Sequence, residues 1–79
     1  MKNLDHLRLI YEAYLPVVMK IARETDNGDY YLDKIASGRM ALNEVYRVHD
    51  YTHPSFPYYV KMFVTNYINN HAYMKEHPQ

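Results

Sequence analysis

Apolar side chains recur at three- and four-residue intervals along most of the chain, and short polar, turn-forming stretches separate the runs. Leu4, Leu7, Ile10, Tyr11 and Tyr14 fall on one face of a helix over residues 3–14, with Asn3 suited to cap it. Pro16 inside that helix would remove a backbone hydrogen bond and clash with the preceding turn. At the first position of a new helix its missing N–H costs nothing. A break is therefore expected there, with a second helix from Pro16 to Glu24 presenting Val17, Val18, Ile21 and Ala22; one long helix kinked at Pro16 is the alternative. Thr25-Asp26-Asn27-Gly28 is a turn by composition. A third helix, Asp29 to Ser37, begins with an acid at the positive end of its dipole and stops at Gly38. A fourth, Ala41 to Asp50, carries Leu42, Val45, Tyr46 and Val48 and ends at His53-Pro54-Ser55. Ser55 can cap a last helix, with Pro57 in its first turn, that runs to Ala72 through Tyr59, Val60, Phe63, Val64, Tyr67 and Ile68. No segment alternates with period two. The expected fold is a single all-α domain, a small bundle of four to five short helices, or three if neighbours merge.

Composition narrows the function. A chain of 79 residues buries only about 60–65% of the surface that its unfolded form exposes, so its stability is marginal. It has no cysteine, which removes disulfides, thiolate chemistry and zinc–thiolate sites. Nine Lys and Arg balance nine Asp and Glu. No apolar run approaches the ~20 residues of a membrane span. The opening MKNLDHLRLI lacks a signal-peptide apolar stretch, so a cytoplasmic protein without membrane association is expected. Ten tyrosines are the compositional excess. Tyr11, Tyr14, Tyr46, Tyr59 and Tyr67 occupy stripe positions and read as core or half-buried. The adjacent pairs Tyr30-Tyr31 and Tyr58-Tyr59 cannot both face inward, so one member of each is exposed or covered by a partner.

The second and third helices, each under three turns and joined by a tight polar turn, have the size and order of a helix-turn-helix unit. Ala22 is a small residue where two helices would cross, and Leu32 and Ile35 lie on one face able to pack onto it. The stretch Ile21-Ala22-Arg23-Glu24-Thr25, followed by Tyr31-Leu32-Asp33-Lys34-Ile35-Ala36-Ser37-Gly38-Arg39, resembles the lambda-repressor-like (Cro and repressor) helix-turn-helix family. Leu42 to Val48 is similar to that family's fourth helix, so the resemblance covers residues 16–50. It implies a recognition helix whose Tyr30, Asp33 and Lys34 face bases, with Arg39, Lys20 and Arg23 on the phosphate backbone. Two positions depart from the family pattern. Asp26 stands where the turn usually has Gly, and Asp29 and Asp33 put carboxylates on the recognition face. A carboxylate can accept from cytosine N4, but phosphate repels it.

Charge by segment sharpens that conflict. Residues 1–25 carry four basic and three acidic side chains, residues 26–53 three against five, and residues 54–79 two against one. The segment that would touch DNA is the acidic one.

Other chemistry is thinly represented. His49 and His53 are four apart with Asp50 between them, but Pro54 ends the helix there and no third metal ligand follows. His71 and His77 read as solvated tail residues. Asp26 and Asp29 lack the bidentate glutamate of a calcium loop. No catalytic triad, paired carboxylates or glycine-rich phosphate loop is present, so neither enzyme activity nor a cofactor is expected. Met40 and Met62 read as gap fillers.

The leading expectation is a small, sequence-specific transcription regulator of the Cro type, phage- or mobile-element-like in size, binding operator DNA as a homodimer. The last helix, through Tyr58, Phe63 and Tyr67, would supply the partner contact. The other expectation is a small helical protein-binding inhibitor or adaptor, a phage-encoded antagonist of a host protein, docking through exposed tyrosines and the acidic Asp26–Asp33 edge.

Overall fold

The computed structural model describes residues 4–25 and 30–76, and the side chains of 5–25 and 30–70 among them. The expected Asn3 cap, the Asp26–Gly28 turn, Asp29 and His77 lie outside the described residues. Among the described residues the chain forms three helices: α1 (Leu4–Glu24), α2 (Tyr31–Val48) and α3 (Phe56–Glu76). The all-α expectation holds; the four to five short helices do not. Among the described residues no helix is long and apolar enough to cross a membrane.

Two expected breaks are absent, each for a physical reason. Pro16 lies inside α1. The carbonyl that loses its donor belongs to Glu12, and Glu12 and Pro16 are both exposed, so water can take the place of the missing N–H. Ile10 before the proline and Val18 and Ala22 after it are buried in one core, which holds both halves of the helix in line. Gly38 does not stop α2 but lies in its interior, buried. A Cβ on residue 38 would overlap Val18 Cγ1, so the glycine serves the close approach of α1 and α2. The expected unit of two short helices is accordingly the second half of α1 and the first half of α2.

α2 is the central element and packs on both neighbours, more extensively on α3. Its buried positions are Lys34, Ser37, Gly38, Ala41, Leu42, Val45 and Tyr46, one stripe at helical spacing. On α3 the inward line is Phe56, Val60, Val64 and Ile68, all at most 1% exposed. Tyr11, Tyr14, Tyr59 and Tyr67 pack half-buried around that core and Tyr46 lies within it, as the spacing suggested. Tyr14 meets Phe56 edge-on, ring centroids 6.0 Å apart.

The α2–α3 turn is held by polar groups. Asp50 Oδ1 accepts from the Thr52 amide (2.9 Å) and hydroxyl (2.7 Å), and His53 Nδ1 accepts from the Ser55 amide (3.0 Å). The Ser55 carbonyl accepts from the Tyr59 amide (3.2 Å), which makes Ser55 the residue before α3 as expected, with Pro57 in the first turn. α3 continues to Glu76, past the expected end at Ala72.

Candidate functional site

The residues assigned to nucleic acid do not form one surface. Lys34 is fully buried, and its ammonium donates to the Thr25 carbonyl at 2.5 Å, just past the C-terminal end of α1. Carbonyls there lack intrahelical donors and sit at the negative end of the dipole, so a cation is favoured. Lys34 therefore ties α2 to α1 instead of facing bases, a correction to its expected role. Leu32 is corrected in the opposite sense: it was expected to pack on Ala22 and is 79% exposed, whereas Ile35 packs on the core.

Tyr30 precedes α2 in the left-handed region, φ 59°, ψ 34°, and is half exposed; Tyr31 packs on the core. Asp33 is exposed in the first turn of α2. Arg39 is exposed, with its guanidinium 5.6 Å from the centroid of the Tyr11 ring, and the Tyr11 hydroxyl donates to Asn43 Oδ1 at 2.5 Å. Tyr11 thus marks the side of α1 turned to α2. Lys20 follows it by nine residues, about half a turn around the helix at 3.6 residues per turn. It lines a groove on the other side, between α1 and α3, with Lys61. Arg23 is exposed near the end of α1. Other exposed cations have acidic neighbours on their own helix: Arg8 lies 3.8 Å from Glu12, and Arg47 pairs with Glu44, whose hydrogen bond raises the pKa of the guanidinium.

Of the three residues expected to meet a protein partner, Tyr58 is 66% exposed, while Phe63 and Tyr67 pack half-buried on the core. Phe63 belongs to an aromatic cluster at the α2–α3 turn. There His49 stacks on Tyr59 (3.9 Å, planes 8° apart) and meets Phe63 edge-on at 5.6 Å. Tyr58 in turn touches the edge of Tyr59 at 5.7 Å. Among the described residues no three His, Asp or Glu side chains gather to hold a metal.

A continuous surface does form on α3. Tyr58, Lys61, Met62, Thr65 and Asn66 line a shallow depression of about 300 Å³ along its outward face. Beside it, Val17, Lys20, Ile21 and Glu24 of α1 and Lys61 of α3 line the groove of about 250 Å³. Lys61 belongs to both. Met62, expected as a gap filler, is 38% exposed on this face, and Met40 is 61% exposed on α2. The sequence reading missed Lys61, Met62, Thr65 and Asn66. The signal was available, because they follow Tyr58 at helical spacing opposite the inward line of Phe56, Val60, Val64 and Ile68. Compared with known protein families, curated proteins and solved structures, the chain shows no match.

Proposed function

We propose that the chain is a small helical protein-binding module, and that the outward face of α3 with the α1–α3 groove receives an anionic amphipathic segment of its partner. The observation that carries this reading is Lys61, which joins the Tyr58–Met62 depression to the groove containing Lys20. Val17 and Ile21 give that groove an apolar floor. Tyr58 offers rigid contact area with a polar tip, the kind of side chain that anchors interfaces. Lys20 and Lys61 supply charge that steers an acidic segment and sets its register. Glu24 makes the charge mixed, so the fitting segment carries acids opposite the two lysines rather than along its whole length.

The Cro-type DNA-binding reading draws less support from the geometry. DNA affinity rests on several cations neutralising phosphates together. Lys34 is buried, Lys20 and Arg39 lie on different sides of α1, and Asp33 and Leu32 front α2. The two readings are separated by selecting binders to the immobilised chain from a library of displayed short peptides and from a library of random duplexes. The module reading expects acidic amphipathic peptides whose binding is lost with Lys61→Glu or Tyr58→Ala. Enrichment of a duplex that requires Arg23 and Arg39, with no peptide sensitive to Lys61, contradicts it.

A further inference from the structure

The outward side of α2 carries a second apolar stripe. Leu32, Ala36 and Met40 follow one another at four-residue intervals, all exposed, Leu32 by 79% and Met40 by 61%. The stripe is symmetric about Ala36. Leu32 and Met40 stand four residues to either side of it, and Asp33 and Arg39, both exposed, stand three to either side. We propose that a second copy of the chain packs on this face, with the two α2 helices antiparallel and a two-fold axis passing beside Ala36. This surface is separate from the α3 face and does not depend on the reading of that face.

The face is self-complementary. In a two-fold interface, residue i of one copy meets residue j of the other and j meets i. About Ala36, this sets Leu32 of each copy against Met40 of the other and Asp33 of each against Arg39 of the other. Apolar thus meets apolar, and acid meets base, twice each. A parallel pairing would set Asp33 against Asp33 and Arg39 against Arg39. Ala36 at the crossing point leaves room for the short interaxial separations, about 8–10 Å, at which helices pack. Arg39 already rests over the Tyr11 ring, so less of its freedom is lost on pairing. One helix face buries less than the ~1,600 Å² of a standard interface, so the dimer is reversible and concentration-dependent.

The test uses the full chain, whose lack of cysteine makes single introduced thiols unambiguous. Sedimentation velocity should show monomer giving way to dimer as concentration rises from micromolar to millimolar. Under mild oxidation Ala36→Cys should cross-link two copies rapidly, because a disulfide needs its Cβ atoms about 3.5–4.5 Å apart and only residues beside the axis meet their own counterpart. Leu32→Cys alone should cross-link no faster than Asn69→Cys on the exposed side of α3. Asp33→Arg should weaken the dimer at least tenfold, and Asp33→Arg with Arg39→Asp should restore it, with helical circular dichroism confirming that each variant folds. A chain that stays monomeric at all concentrations, Ala36→Cys cross-linking no faster than Asn69→Cys, or Leu32→Cys cross-linking as fast as Ala36→Cys overturns the proposal. Failure of the double charge swap to restore association does so too.

Discussion

Gly38 of α2 lies against Val18 of α1 so closely that a methyl group on residue 38 would overlap Val18 Cγ1. Replacing a helix-interior glycine by alanine ordinarily gains about 1 kcal/mol. Here the overlap with a fully buried, β-branched side chain costs about 1–3 kcal/mol, and the overlap wins. Gly38→Ala is expected to lower stability in urea unfolding. Val18→Ala combined with Gly38→Ala should cost less than the sum of the two single changes, because each relieves the other. Strict additivity would show that the two residues do not share this space.

Lys34 gives a second prediction. Lys34→Met keeps most of the aliphatic volume and removes the donor to the Thr25 carbonyl. A hydrogen bond from a charged group contributes about 1.5–3 kcal/mol, and at a fully buried position little of that is screened by solvent. Denaturant unfolding should shift by that amount. A change within about 0.5 kcal/mol, as for surface positions, would mean that the ammonium is not a structural tie.

The stack of His49 on Tyr59 joins the end of α2 to α3. Aromatic pairs of this kind contribute about 0.5–1.5 kcal/mol beyond the area they bury. A double-mutant cycle with His49→Ala and Tyr59→Leu should return a coupling energy in that range. Zero coupling would reduce the stack to incidental proximity.

Tyr58 and Lys61 separate binding from stability. Both are exposed, so Tyr58→Ala and Lys61→Glu should each change unfolding free energy by less than about 0.5 kcal/mol while abolishing partner binding. Loss of binding accompanied by a large loss of stability would place these residues in the framework of the fold instead.

Much of the framework was legible in the sequence. Val60, Val64 and Ile68 lie within the apolar run assigned to the last helix, which did not include the buried Phe56, and the Tyr58-Tyr59 pair divided between surface and core as adjacent helical positions must. Pro16 and Gly38 were misleading because local chemistry reads both as punctuation. Whether a proline is tolerated depends on the exposure of Glu12, and a helix stop is indistinguishable in sequence from a close approach to Val18. Lys34 was expected at the surface because Leu32 and Ile35 read as the packing face and the family resemblance turns Lys34 toward bases. Yet the stripe of Tyr46, Val45, Leu42 and Ala41, continued backward through Gly38 and Ser37, reaches Lys34 and not Leu32. The α3 depression became legible only once the inward line fixed which side of the helix remained outside.

The proposed binding surface centres on Lys61. Its most direct test is a map of backbone amide shifts by NMR as a selected acidic amphipathic peptide is titrated into the chain. The expected result is saturable perturbation concentrated at Val17, Lys20, Ile21, Tyr58, Lys61, Met62 and Thr65, and absent with Lys61→Glu. Perturbation that instead centres on Tyr30, Asp33 and Arg39, appears with duplex DNA and is unchanged by Lys61→Glu would contradict the proposed function.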